Sequence, residues 1–127
     1  MSFDWNDYLK LSKSIERQAS GTSIATKEAW CRSAVSRTYY AVFHIATKFA
    51  VDNLEYIVPA RNNHWYLREF YMNQRGNHDY MLVGRKLTLL LKNRKDCDYK
   101  EEYFGNIESL VNISIREAEK IKQLLPN

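Results

Sequence analysis

The sequence predicts an all-α fold, an antiparallel up-and-down bundle of four to five helices formed as one domain over residues 1–127. Two observations argue against sheet. The chain holds only four glycines and two prolines, and it contains neither an Asn-Gly or Asp-Gly hairpin signal nor a sustained alternation of apolar and polar residues. A third argues for helix: apolar residues recur at three- and four-residue spacing, in blocks separated by short punctuating stretches. With 45% hydrophobic and 27% charged residues, the composition is that of a globular domain able to bury its own core.

The first helix is expected from about Trp5 to Ala19. Asp4 stands before it as an N-cap acceptor, and Trp5, Tyr8, Leu11 or Ser12, and Ile15 share one face. The stretch SGTS, Ser20–Ser23, ends it. The second helix is expected from near Thr26 to about Asn53, which makes it the longest element and the centre of the domain. Trp30, Cys31, Ala34, Val35, Ala41, Val42, Ile45, Ala46 and Phe49 cover roughly half its circumference, enough to touch two or three neighbours. Pro59, the Asn62-Asn63 pair and Gly76 then weaken the pattern, leaving room for one short helix around Trp65 to Asn73. A fourth helix, from about Asp79 to Asn93, carries Tyr80, Val83, Leu87, Leu90 and Leu91 on one face, with Arg94 at its end. After a turn through DCDYKEEYFG the last helix starts near Asn106. It presents Ile107, Leu110, Val111, Ile115, Ala118, Ile121 and Leu125, and it stops before Pro126.

Charge is unevenly distributed. The net charge is +4, and between Ala60 and Asp96 eight basic residues face only three acids, Glu69, Asp79 and Asp96. Such an excess permits contact with a phosphate backbone or an acidic partner, and it equally describes a solvated helix face. Arg75, Arg85, Lys86, Arg94, His64 and His78 are the candidate RNA contacts. Their neighbours Trp65, Tyr66, Tyr71 and Tyr80 suit stacking on unpaired bases, although the same rings would serve as core or interface residues. Cys31 and Cys97 belong to no metal-ligand spacing, and the three histidines are too dispersed to compose a metal site. There is no P-loop, dinucleotide glycine pattern or GxSxG elbow, so no metal or cofactor is expected. No run of 18 apolar residues occurs, and MSFDWNDYLK lacks a basic-then-apolar leader, so a cytoplasmic protein without membrane contact is expected.

One stretch of the second helix stands out. In SRTYYAVFHIA, residues 36–46, Arg37 and His44 are seven positions apart and so differ by only about 20° around the helix. Tyr40 lies between them, and Ser33 and Lys48 extend the same polar line. Either this line faces solvent, or the helix is covered on most sides and an arginine and a histidine there need partners or a ligand. Histidine, with an unperturbed pKa of about 6.5, suits proton transfer at neutral pH. Arg37, Tyr40 and His44 are therefore the candidate catalytic residues.

WCRSAVSRTYYAVFHIATKF, preceded by Lys27-Glu28-Ala29, resembles the signature helix of the HEPN superfamily, particularly its small stand-alone branch, where Arg-(small)-Tyr-Tyr-Ala-x-Phe-His is typical. LLKNRKDCDY, residues 90–99, is similar to that family's Arg-x-x-Ala-Asp-Tyr block, with Arg94, Asp98 and Tyr99 in register and Cys97 where alanine is usual. WNDYLKLSKSIE and IREAEKIKQLL resemble its first and last helices, so the resemblance covers essentially the whole chain. It implies an antiparallel bundle that commonly forms a homodimer. It further implies a role in a toxin-antitoxin or phage-defence module, as a metal-independent ribonuclease beside a nucleotidyltransferase-type antitoxin. In such enzymes an arginine, followed after four to six residues by a histidine, holds the scissile phosphate while the histidine moves protons. After Arg94 the residues KDCDYKEE include no histidine, whereas Arg37 and His44 have six residues between them. Asp98 is expected to pair with Arg94 and staple the turn before the last helix. Two other readings stay open: a non-catalytic interaction module that partners a nucleotidyltransferase-type protein, and a nucleotide pocket lined by Arg37, Tyr40 and His44.

Overall fold

The computed structural model describes residues 3–19, 24–103 and 105–126. These form five helices, α1 Asn6–Ala19, α2 Ile24–Asn53, α3 Asn63–Met72, α4 His78–Tyr99 and α5 Ile107–Leu124, with no strand among the described residues. The SGTS break between the first two helices lies outside the described residues.

Side-chain pairings give the directions. On α1 and α2, Tyr8 meets Arg37 and Trp5 meets His44, so these helices are antiparallel. Arg32 near the start of α2 meets the end of α4, whereas Phe49 near the end of α2 meets Tyr80 near the start of α4. Helices α4 and α5 also oppose each other, through Lys86 with Glu117 and Asn93 with Ser114. The four long helices thus alternate in direction, and α3 is an addition to them. The connection over residues 54–62 doubles back, so α3 runs alongside α2 in the same sense, from Tyr39–His64 to Ala46–Tyr71.

Local chemistry sets the boundaries. The Asp4 carboxylate accepts from the Asn6 N–H at 3.0 Å and from Asn6 Nδ2 at 2.9 Å, so α1 begins one residue later than its apolar pattern. Ser12, not Leu11, faces inward: Leu11 is 41% exposed, and the buried Ser12 hydroxyl is satisfied by the Tyr8 carbonyl at 3.0 Å. Along α2, Ala34, Ala41, Ala46 and Ala50 are fully buried and let neighbours approach closely. Thr38, Tyr39 and Phe43 are buried as well, outside the face that periodicity assigns, because α1, α4 and α5 all pack on this helix.

The DCDY segment is not a turn. Helix α4 continues through Tyr99, because two tertiary contacts hold its last turn. Cys97 is buried in a small cluster with Ile15, Cys31, Val35, Leu110 and Val111. From α2, Arg32 Nη1 donates to the carbonyls of Cys97 at 2.8 Å and Lys100 at 2.6 Å, and Nη2 donates to that of Glu101 at 3.3 Å. The Cys97 carbonyl is one that a helix end otherwise leaves without a partner, and those of Lys100 and Glu101 follow directly after the helix.

Candidate functional site

Arg37, Tyr40 and His44 lie on successive turns of α2, and the structure covers that line only partly. Trp5 and Tyr8 from the start of α1 stand on one side and Asp98 from the last turn of α4 on the other. With Ser33 and Ser36 they line an open groove of about 580 Å³. All three candidate residues are half-buried, so the line is neither a solvated face nor a sealed core.

His44 lies flat on Trp5, with ring centroids 3.6 Å apart and planes 13° from parallel. Burial pulls its pKa below the ordinary histidine value, so the ring is neutral at pH 7. Neither ring nitrogen has a protein partner among the described residues. Arg37 passes over the Tyr8 ring at 5.8 Å. It makes no ion pair or hydrogen bond among the described residues, and its Nε is buried without a partner. The one carboxylate that lines this groove, Asp98, is engaged by Arg94 and Ser36, so the charge of Arg37 is available to an anionic ligand.

The opposite wall is built from the second sequence block. Asp98 Oδ2 accepts from Arg94 Nε at 2.8 Å and from the Ser36 hydroxyl at 3.3 Å. The pair is therefore an i,i+4 bridge within α4 that also reaches across to α2, and it staples no turn. The Arg94 guanidinium lies 4.9 Å over the Tyr40 ring, and Nη2 donates to the Tyr99 hydroxyl at 3.4 Å. The blocks around Arg37 and Arg94 thus meet face to face.

Behind Arg94 is a second, smaller hollow of about 210 Å³. It is lined by Asn62, His64, Trp65 and Arg68 at the start of α3 and by Leu91, Arg94 and Lys95 of α4. His64 Nδ1 is 2.5 Å from the Tyr39 hydroxyl. Burial raises the Tyr39 pKa, which keeps that hydroxyl protonated. Burial lowers the His64 pKa, and the nearby cations Arg94, Arg68 and Lys95 lower it further.

Of the six candidate RNA contacts, only His64 and Arg94 share a hollow. Lys86 is turned onto Glu117 of α5 in a largely buried ion pair across the α4–α5 seam. Arg85 is exposed about 180° around α4 from Arg94. Arg75 and His78 are exposed at the far end of α4, about 24 Å away along its axis for His78. Among the aromatics, Tyr71 is a core residue whose hydroxyl donates to the Ala46 carbonyl at 2.6 Å, and Tyr80 packs on Phe49. Trp65 and Tyr66 stay exposed. Sequence reasoning missed Trp5, Tyr8 and Ser36 as groove residues, Arg32 as the support of the α4 end, and Arg68 and Lys95 as a pair; only the basic excess of the segment pointed toward the last two.

Among the described residues no cluster of three metal-ligating side chains occurs, and no helix is long and apolar enough to cross a membrane. The chain matches no protein-family model, no curated protein and no solved structure.

Proposed function

We propose that this chain is a HEPN-like protein of a toxin-antitoxin or phage-defence module that binds RNA in the Arg37–His44 groove and cleaves it there without a metal. One observation carries the reading: Arg37, a cation without a carboxylate partner among the described residues, shares a groove with a neutral His44 whose ring nitrogens make no hydrogen bond among the described residues. An RNA backbone supplies the negative charge that Arg37 lacks, and the part-buried Trp5 and Tyr40 line the same groove as aromatic contacts for unpaired bases. His44 accepts the proton of a ribose 2′-OH as that oxygen attacks the adjacent phosphorus. The P–O5′ bond breaks, the departing oxygen takes a proton from solvent, and the products are a 2′,3′-cyclic phosphate and a 5′-hydroxyl. Arg37 and His44 are two turns apart, about 10 Å along the axis, which suits Arg37 to a phosphate beside the one attacked.

The test is incubation of the purified protein with total RNA and tRNA, alongside the Arg37→Ala, His44→Ala double variant. Fragments ending in 2′,3′-cyclic phosphate with the wild type and intact RNA with the variant are expected. Intact RNA with both would overturn cleavage. The active form is a homodimer in this reading, and light scattering should give twice the 15.1 kDa chain mass. A non-catalytic module that partners a nucleotidyltransferase-type protein is the second reading. It is favoured by the flat packing of His44 on Trp5, and it predicts partner binding with no cleavage.

A further inference from the structure

We propose that the hollow between the start of α3 and the end of α4 is a phosphate-monoester subsite, which receives a terminal phosphate of the strand held in the adjoining groove. The proposal rests on the RNA-binding reading of that groove and assigns it a preference for strand ends.

Charge is the first support. Arg68, Arg94 and Lys95 line the hollow, and no acid does. Arg68 spends its Nε on the His64 carbonyl at 3.2 Å, and neither Arg68 nor Lys95 has an ion pair among the described residues. Arg94 has one, with Asp98, which lies on the groove side. An internal phosphodiester carries a single negative charge, whereas a phosphate monoester carries roughly −1.5 to −2 at pH 7. Two cations without an acid partner among the described residues, Arg68 and Lys95, beside the paired Arg94, therefore favour the end of a strand over its interior.

Size and donors agree. At about 210 Å³ the hollow is too small for a whole drug-sized ligand and suits a phosphate with part of its sugar. Tyr39 Oη and His64 Nδ1 share a hydrogen bond at 2.5 Å, and in the tautomer where the hydroxyl donates, Nε2 carries the hydrogen of the neutral ring as a further donor. Trp65, half-exposed beside the hollow, offers a face to the terminal base. Arg94 lines the hollow and binds the groove residues Asp98 and Tyr40, so the two spaces adjoin and one strand can span them.

The experiment measures binding of the full chain to one short 2′-O-methylated oligoribonucleotide, which cannot be cleaved, made with a 5′-phosphate, a 3′-phosphate or neither. One phosphorylated form should bind about tenfold more tightly than the unphosphorylated form. Lys95→Ala and Arg68→Ala should each erase that preference, weakening the phosphorylated form more than the unphosphorylated one, and inorganic phosphate should erase it by competition. Arg37→Ala should weaken all three forms alike. Lys95 is an exposed side chain, so its variant tests the subsite without threatening the fold. Equal affinity of the wild type for the three forms overturns the subsite and leaves the groove standing, as does a preference that survives both substitutions. Absence of binding by any form overturns both.

Discussion

The indole of Trp5 stacks on the imidazole of His44 at 3.6 Å between ring centroids. This contact joins the first turn of the chain's described structure to the middle of its longest helix, and it gives the candidate base its low-dielectric side. Desolvation, the cause of the lowered His44 pKa, is thus supplied from outside α2.

Trp5→Ala should return the His44 pKa toward the ordinary value of about 6.5. A pH titration of the His44 ring protons by NMR reads it directly. An unchanged midpoint would mean that other neighbours desolvate the ring.

Stability should fall on mild acidification. The pKa values of both His44 and His64 are lowered in the folded chain, so below about 6.5 the unfolded chain binds protons that the folded one refuses. Stability therefore rises with pH through the window between the lowered values and 6.5, and is lost as pH drops through it. Thermal melts between pH ~7 and ~5.5 should show a declining Tm, flattened in His44→Gln and His64→Gln. The depressed carboxylates Asp96 and Glu117 act in a lower window, beneath their ordinary values of 3.8 and 4.5. A Tm constant over the upper range would contradict the desolvation of both rings.

Arg32→Ala should cost about 1–3 kcal/mol in urea unfolding, because several carbonyls at the end of α4 lose their donor together. Arg32→Lys should recover little, since one ammonium lacks the planar fork that reaches them at once. Amide exchange should accelerate in the last turn of α4 before it does elsewhere. Protection there equal to the wild type would show that burial of Cys97 suffices.

Gly84→Ala should destabilise despite the gain in helix propensity. A Cβ at Gly84 would lie 2.5 Å from Met72 Cγ, 2.9 Å from Met72 N and 3.0 Å from the Arg68 carbonyl. The side chain can shift but the backbone of α3 cannot do so without moving the whole helix, so a net loss of about 1–3 kcal/mol is expected. The urea midpoint measures it; a variant as stable as the wild type would mean that α3 slides freely on α4.

Much of the fold is legible in the chain. The periodic blocks locate five helices, and the buried residues Val83, Leu87, Leu90, Val111, Ala118 and Ile121 lie on the faces that spacing assigns them. The end of α4 is not legible: Asp-Cys-Asp reads as turn chemistry, and it stays helical because Arg32, 65 residues earlier, occupies the carbonyl of Cys97. Lys86 likewise reads as a surface cation until Glu117 arrives from α5.

The sequence by itself determined that the chain is helical, that α2 is sorted into an apolar face and a polar line, and that Arg37, Tyr40 and His44 share that line. Only the tertiary structure decided what the line meets. Trp5 and Tyr8 cover one side, Asp98 and Arg94 the other, and Arg37 is left without a counterion among the described residues. The physical reason is that periodicity records where a residue sits on its own helix. Which helix packs over it, and what charge that neighbour brings, depends on contacts between residues far apart in the chain.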